Sequence, residues 1–142
     1  WTGRWTRTGR PRAWWPRTGR QGRRTRVIAH VILFRPRADL APAELAGLLD
    51  AMRAAHREIP GIRRFVAGRR VRNGRPYEAI SRDFPFFALL EFDTPQAFDA
   101  YLSHPVHDDL GSRFYLTSEA AEAYDFVIAD VPAALDTLLS TP

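Results

Sequence analysis

Three residues with side chains suited to acid–base chemistry lie close together in the sequence: Tyr101, His104 and His107. An imidazole titrates near neutral pH and can remove an acidic proton from a carbon next to a carbonyl group. A phenol can donate a hydrogen bond to the oxyanion that then develops. Because His107 follows Tyr101 by about one short turn, the sequence indicates His107 as a general base and Tyr101 as a hydrogen-bond donor. His104 directly precedes Pro105 and is a candidate both for capping the next turn and for lining a pocket.

A further histidine, His30, lies in an apolar segment and shares a strand face with Ile32 and Phe34. A lone imidazole in such a strand is either a hydrogen-bonded core residue or a pocket residue, and the residue types leave both readings open. Phe86 begins a second apolar segment. For a pocket between sheet and helices, we expect a lining that includes His30, Ile32, Phe34, Phe86 and His104.

A metal site is the alternative use of the same region. His104, His107, Asp108 and Asp109 offer nitrogen and oxygen donors within six residues. However, Pro105 interrupts regular helical spacing between the two histidines, and adjacent aspartates are typical of a solvated helix start. The sequence also has no glycine-rich phosphate loop or nucleophile elbow. We therefore expect neither a metal nor another cofactor.

The excess positive charge lies in the first 26 residues, which hold nine arginines and no acidic residue. Low complexity, like charge and scattered glycine and proline cannot offset the entropy of ordering a chain, so residues 1–26 are expected to be disordered. The abrupt change to apolar residues at Val27 favours the interpretation that residues 1–26 are not native coding sequence. The alternative is a basic arm whose arginines follow phosphates while its tryptophans stack on bases, or one that lies on a membrane surface.

The remaining residues, 27–142, carry twelve arginines and all 16 acidic residues, a net charge of −4. This balance argues against a nucleic-acid partner for the folded domain. The chain has no cysteine and no uninterrupted apolar stretch of about 18 residues. We therefore expect a cytoplasmic protein without a membrane partner.

The helices and strands that must position these side chains are predicted from the spacing of the apolar residues and from the prolines and glycines at which the elements begin or end. Two helices are predicted, each with a proline at its first helical position. In the second helix this proline follows Thr94, and Pro60-Gly61 ends the first helix. Four strands are predicted, at residues 27–35, 62–71, 86–92 and 124–131. The second of them is rich in arginine and is predicted at a sheet edge, where charge prevents aggregation. Residues 132–142 are predicted to form a short helix or a loose tail.

The order βαββαβ predicts an α+β, ferredoxin-like domain over residues 27–131. Right-handed crossovers place both helices on one face of a four-stranded antiparallel sheet. The first and third strands are apolar on both faces, so the face without helices would be a large exposed patch unless a second subunit or the C-terminal segment packs there. We therefore expect a homodimer in which a second copy covers that face.

Four ordered blocks of the chain resemble the stress-responsive A/B barrel (Dabb) family over about residues 28–131. The most specific of them is Tyr-Leu-Ser-His-Pro-Val-His at residues 101–107; the other three lie at residues 30–35, 59–69 and 88–92. The resemblance implies a dimeric α/β barrel whose members mostly have no settled activity. A plant branch of the family cyclises linear polyketides with the tyrosine and the last histidine of that run, which map to Tyr101 and His107. Phe86 and Phe87 stand where that branch carries a polar residue, so the resemblance does not extend to its substrate.

Three functions are consistent with these features. The preferred one is a homodimeric barrel that binds an apolar or aromatic small molecule between sheet and helices. The second is an enzyme that uses the same pocket for proton abstraction, followed by cyclisation or isomerisation. The third is a structural stress-related protein without a ligand, which a pocket filled by Phe86 and Phe87 would favour.

A chain beginning at Val27 is expected to unfold at the same temperature as the full chain. Residues 1–26 contain no Leu, Ile, Val, Phe or Met with which to pack periodically on a core. Thermal unfolding of both chains, followed by circular dichroism, checks this, and a drop of many degrees on truncation would contradict it.

Overall fold

The computed structural model describes residues 27–128. The predictions for residues 1–26, for the end of the last strand and for residues 132–142 lie outside the described residues. Eight elements follow one another along the described chain: β1 Val27–Pro36, α1 Pro42–Glu58, β2 Ile62–Arg69, α2 Tyr77–Ile80, β3 Phe86–Phe92, α3 Pro95–Leu102, α4 Pro105–Thr117 and β4 Ser118–Ile128.

The four strands form one antiparallel sheet in the order β2-β3-β1-β4. This is the strand order of the ferredoxin-like plan, so the predicted α+β fold is confirmed. The arginine-rich strand β2 lies at one edge, as predicted, and β4 lies at the other. Strand β1, the most apolar segment, lies in the centre, where it pairs with β3 on one side and β4 on the other.

The helices cover one face of the sheet and enclose the core. Leu48 and Ala55 of α1 pack there against Leu90 and Phe92 of β3, and all four are buried. Helix α3 begins where Thr94 accepts a hydrogen bond from the Ala97 N–H over 3.1 Å, which satisfies one of the free donors of its first turn.

Strand alternation separates this inner face of the sheet from an outer one. The outer face carries Val31 and Leu33 in its centre and Phe87, Tyr124 and Phe126 around them, with the three aromatic side chains 36%, 46% and 51% exposed. The Phe87 ring lies on the backbone of Gly68 in the neighbouring strand, where a Cβ atom would overlap it. The outer face is therefore apolar in its centre and has no covering element among the described residues.

Three elements differ from the prediction. Helix α4 spans 13 residues, from Pro105 to Thr117, and is therefore longer than the short turn predicted after His104, because its own residues Leu110 and Thr117 are buried. Strand β4 begins at Ser118 and not at Tyr124. Its first residues are mainly alanine and glutamate and have weak strand preference, but the free backbone edge of β1 pairs with them. The short helix α2, in the β2–β3 connection, was not predicted.

Candidate functional site

A cavity of about 940 Å³ opens between the inner face of the sheet and the helices α3 and α4. Strand β1 provides His30, Ile32 and Phe34 to its floor. Tyr101, at the end of α3, and His107, in the first turn of α4, stand on its wall. The structure therefore brings together five of the seven site residues that the sequence indicated.

Tyr101 is 1% exposed and sits in an aromatic cluster. Its ring centroid lies 5.0 Å from that of Phe92 and 6.0 Å from that of His30. Burial, with a smaller contribution from the negative charge of Asp125, raises the pKa of Tyr101 to about 12. The phenol therefore keeps its proton throughout the neutral range and acts as a donor.

His107 contacts Tyr101 at an edge-on angle, with ring centroids 4.5 Å apart. Burial lowers the pKa of His107 below its usual 6.5, and the neighbouring His30 acts in the same direction. The Asp108 carboxylate and the Leu102 backbone oppose these effects more weakly. The imidazole is therefore neutral at pH 7, the form that a general base needs.

His30 has a partner that sequence reasoning missed. Its Nδ1 donates a hydrogen bond of 2.6 Å to Oδ1 of Asp125, the residue directly opposite it on β4. In the neutral ring this bond fixes the hydrogen on Nδ1 and leaves Nε2 as an acceptor. Finding Asp125 from the sequence would have required the register between β1 and β4, and the only local signal is an acidic residue at an inward position of a strand.

The two other predicted pocket residues lie elsewhere. The Nδ1 atom of His104 accepts a hydrogen bond of 3.2 Å from the Val106 N–H, so this side chain caps α4. Phe86 stacks on Phe34 at 5.4 Å but is not among the residues that line the cavity. Phe87 points to the outer face, so neither phenylalanine fills the cavity.

Among residues 27–128, no group of three or more His, Cys, Asp or Glu residues is close enough to hold a metal ion. Four arginines of the β2 region, which could otherwise form a phosphate-binding strip, each have a carboxylate within 3.5 Å: Arg63, Arg64, Arg70 and Arg72. No helix in the described part of the chain is long and apolar enough to cross a membrane.

The sheet order and the crossing helices define the chain as an α+β protein of the ferredoxin-like class. Residues 28–128 match the model of the stress responsive A/B barrel domain. The chain belongs to this family.

Solved structures share the fold at low sequence identity. A dimeric ferredoxin-like protein of unknown function from Thermobifida fusca is 20% identical, with a TM-score of 0.57, over 72% of this chain and 91% of that one. The hydroxynitrile lyase of Passiflora edulis is 13% identical, with a TM-score of 0.62, over 75% and 97%. SnoaB, a cofactor-independent oxygenase from Streptomyces nogalater, is 19% identical, with a TM-score of 0.56, over 75% and 98%. No curated protein matches the sequence.

Proposed function

We propose that the cavity binds an apolar or aromatic small molecule that carries a carbonyl group. The observation that supports this most directly is that His30, Tyr101 and His107, from three different elements, line one cavity whose other walls are largely apolar. Small-molecule sites usually combine an apolar lining with a few convergent polar groups, in volumes of roughly 300–1,000 Å³. The cavity of about 940 Å³ fits this description.

Binding is tested with 2-acetylnaphthalene, a flat aryl ketone, and a matched pair of leucine variants. Leu102 and Leu45 are 38% and 42% exposed on helix surfaces, but only Leu102 lines the cavity. Leu102→Glu is expected to weaken binding about 10-fold, because it removes apolar contact worth on the order of 1–2 kcal/mol. Leu45→Glu is expected to leave the affinity unchanged. Calorimetric titration measures both, and equal losses in the two variants would contradict binding in this cavity.

A second function, proton abstraction, is favoured by the contact between Tyr101 and His107. A neutral imidazole next to a protonated phenol is the pair needed to enolise a ketone. A nitrogen of His107 would take the proton from the carbon next to the carbonyl, the electron pair would move to the carbonyl oxygen, and the Tyr101 hydroxyl would donate a hydrogen bond to it. The resulting enolate can attack a second carbonyl, which gives cyclisation, or be reprotonated elsewhere, which gives isomerisation.

Two further features support this second function. The resemblance to polyketide-cyclising members of the family rests on the same tyrosine and histidine. Enzymes also occur among the proteins of this fold, one named a lyase and one an oxygenase without cofactor. No cofactor is needed for this proton abstraction.

The third function, a structural protein without a ligand, is less well supported, because Phe86 and Phe87 leave the cavity open.

We infer that the chain forms a homodimer through the outer face of its sheet. The apolar residues of that face, Val31 and Leu33 among them, have no cover among residues 27–128, and similar structures are described as dimeric. Two such sheets packed face to face would form the barrel.

The absence of cysteine from the chain fits a reducing compartment, and we propose the cytoplasm on this ground.

A further inference from the structure

Gly111 lies in the middle of α4, where glycine is less favourable than alanine because it loses more backbone freedom on folding. Glycine is usually required by a left-handed backbone conformation or by close approach of a neighbour. Neither applies at this position. Gly111 is not among the glycines with positive φ, and a Cβ atom placed there would meet nothing within 4 Å. Its lack of a side chain therefore has no explanation in the packing of the described residues.

The empty space at Gly111 belongs to the cavity wall. His107 is four residues before it and Phe114 is three residues after it, and residues at these spacings share one face of a helix. All three residues line the cavity. A side chain at position 111 would therefore project along the cavity wall between His107 and Phe114.

The cavity is polar at one end and aromatic at the other. Along β1, His30 and Phe34 are four residues apart, a rise of about 13 Å in a strand. Along α4, His107 and Phe114 are seven residues apart, a rise of about 10 Å in a helix. Phe34 and Phe114 meet at the aromatic end with ring centroids 5.2 Å apart. Gly111 stands about halfway between the two ends.

We propose that Gly111 sets the length of the apolar body that the cavity admits. The inference rests on the proposed binding function. It adds that the ligand places its carbonyl group beside Tyr101 and His107 and extends a flat apolar body past Gly111 towards Phe34 and Phe114. A ligand with a single ring would end before this point, and a ligand with two rings in line would pass it.

The test compares two ketones that differ only in length, acetophenone and 4-acetylbiphenyl, in the full chain and in Gly111→Leu. Leucine is a good helix former, so this variant should keep α4. It is expected to weaken binding of 4-acetylbiphenyl at least about 10-fold, since its side chain takes the volume of the second ring. The affinity for acetophenone is expected to change less than about twofold.

Gly47 provides the matched control, because it is also an internal helix glycine but does not line the cavity. A Cβ atom there would meet only the far end of the flexible Arg113 side chain. Gly47→Ala and Gly111→Ala should each raise the midpoint of thermal unfolding by a few degrees, about 3 °C. Only Gly111→Ala should weaken 4-acetylbiphenyl measurably. These milder variants keep the comparison valid if Gly111→Leu does not fold.

The possible outcomes distinguish the length-setting role of Gly111 from the proposed binding of a small molecule in the cavity. Selective loss of the longer ketone in the Gly111 variants supports the length-setting role. Equal affinities for the longer ketone in the wild-type and Gly111→Leu proteins, or equal loss of both ketones, would overturn that role while binding in the cavity stands. If the wild-type protein binds neither ketone, both the binding function and the role of Gly111 are wrong.

Discussion

Replacing His107 by alanine is expected to lower the turnover of an activated ketone about 10²- to 10⁴-fold, the usual contribution of a positioned general base. The fold should persist, because His107 lies in the first turn of α4 and only part of its ring is buried. Steady-state kinetics measure the loss, and circular dichroism checks the fold. Unchanged turnover in His107→Ala would exclude the proton-abstraction mechanism described above.

Tyr101→Phe serves as the companion variant. It deletes one hydroxyl and keeps a ring that packs against Phe92 and His30, so its rate loss should be smaller than that of His107→Ala. Because the proposed mechanism uses Tyr101 as a hydrogen-bond donor and not as the base, the pH profile of this variant should keep its shape. A shifted profile would mean that the phenol itself exchanges the proton.

The same mechanism fixes the direction of the pH dependence. Only neutral His107 can accept a proton, and burial lowers the pKa of this group below 6.5. The value of kcat/KM is therefore expected to rise with pH through an apparent pKa below 6.5 and to be constant at neutral pH. An apparent pKa above 7 would point to a base other than His107.

Replacing Val31 by aspartate is expected to convert a dimer into a monomer. Val31 lies in the centre of the outer face, with Leu89 opposite it on β3 and Tyr124 opposite it on β4. An unpaired carboxylate buried in an apolar interface costs several kcal/mol, so the dissociation constant should rise at least about 100-fold. Light scattering at micromolar concentration should give twice the 16.2 kDa chain mass for the wild type and the chain mass for Val31→Asp.

Ile80→Asp is the control for the dimer prediction. Ile80 is 88% exposed and lies on α2, outside the sheet, so a charge there should leave the dimer intact. A monomeric wild-type protein would refute the proposed dimer directly. A Val31→Asp variant that remains dimeric would instead place the interface on another surface.

The sequence predicted those parts of the molecule whose signals are local. The β-branched segment of β1, the proline and threonine at the start of α3 and the charged edge strand β2 all depend on residues within a few positions of each other. Tyr101 and His107 were found for the same reason. The start of β4 was not predicted, because its alanines and glutamates have weak strand preference and pair with β1 only through backbone hydrogen bonds.

The site shows the same division. Asp125 is separated from His30 by 95 positions in the chain, and the two meet only through strand register. Phe114 became part of the cavity because α4 extends beyond the single turn that the sequence indicated. Local patterns therefore identified Tyr101 and His107 as candidate residues, while long-range pairing determined which partners and cavity walls surround them.

The hydrogen bond between His30 and Asp125 also bears on how the chain chooses its folded arrangement. Side chains alternate between the two faces of a strand, so a shift of β4 by one residue would carry Asp125 to the outer face and bring a neighbouring aromatic side chain inward. His30 would then be buried without its partner, at the cost of an unsatisfied polar group. The pair thus discriminates between alternative alignments of an otherwise weakly specified strand, whose first residues are small or charged. Because His30 also lines the cavity, one side chain contributes both to the correct alignment of the sheet and to the proposed ligand site.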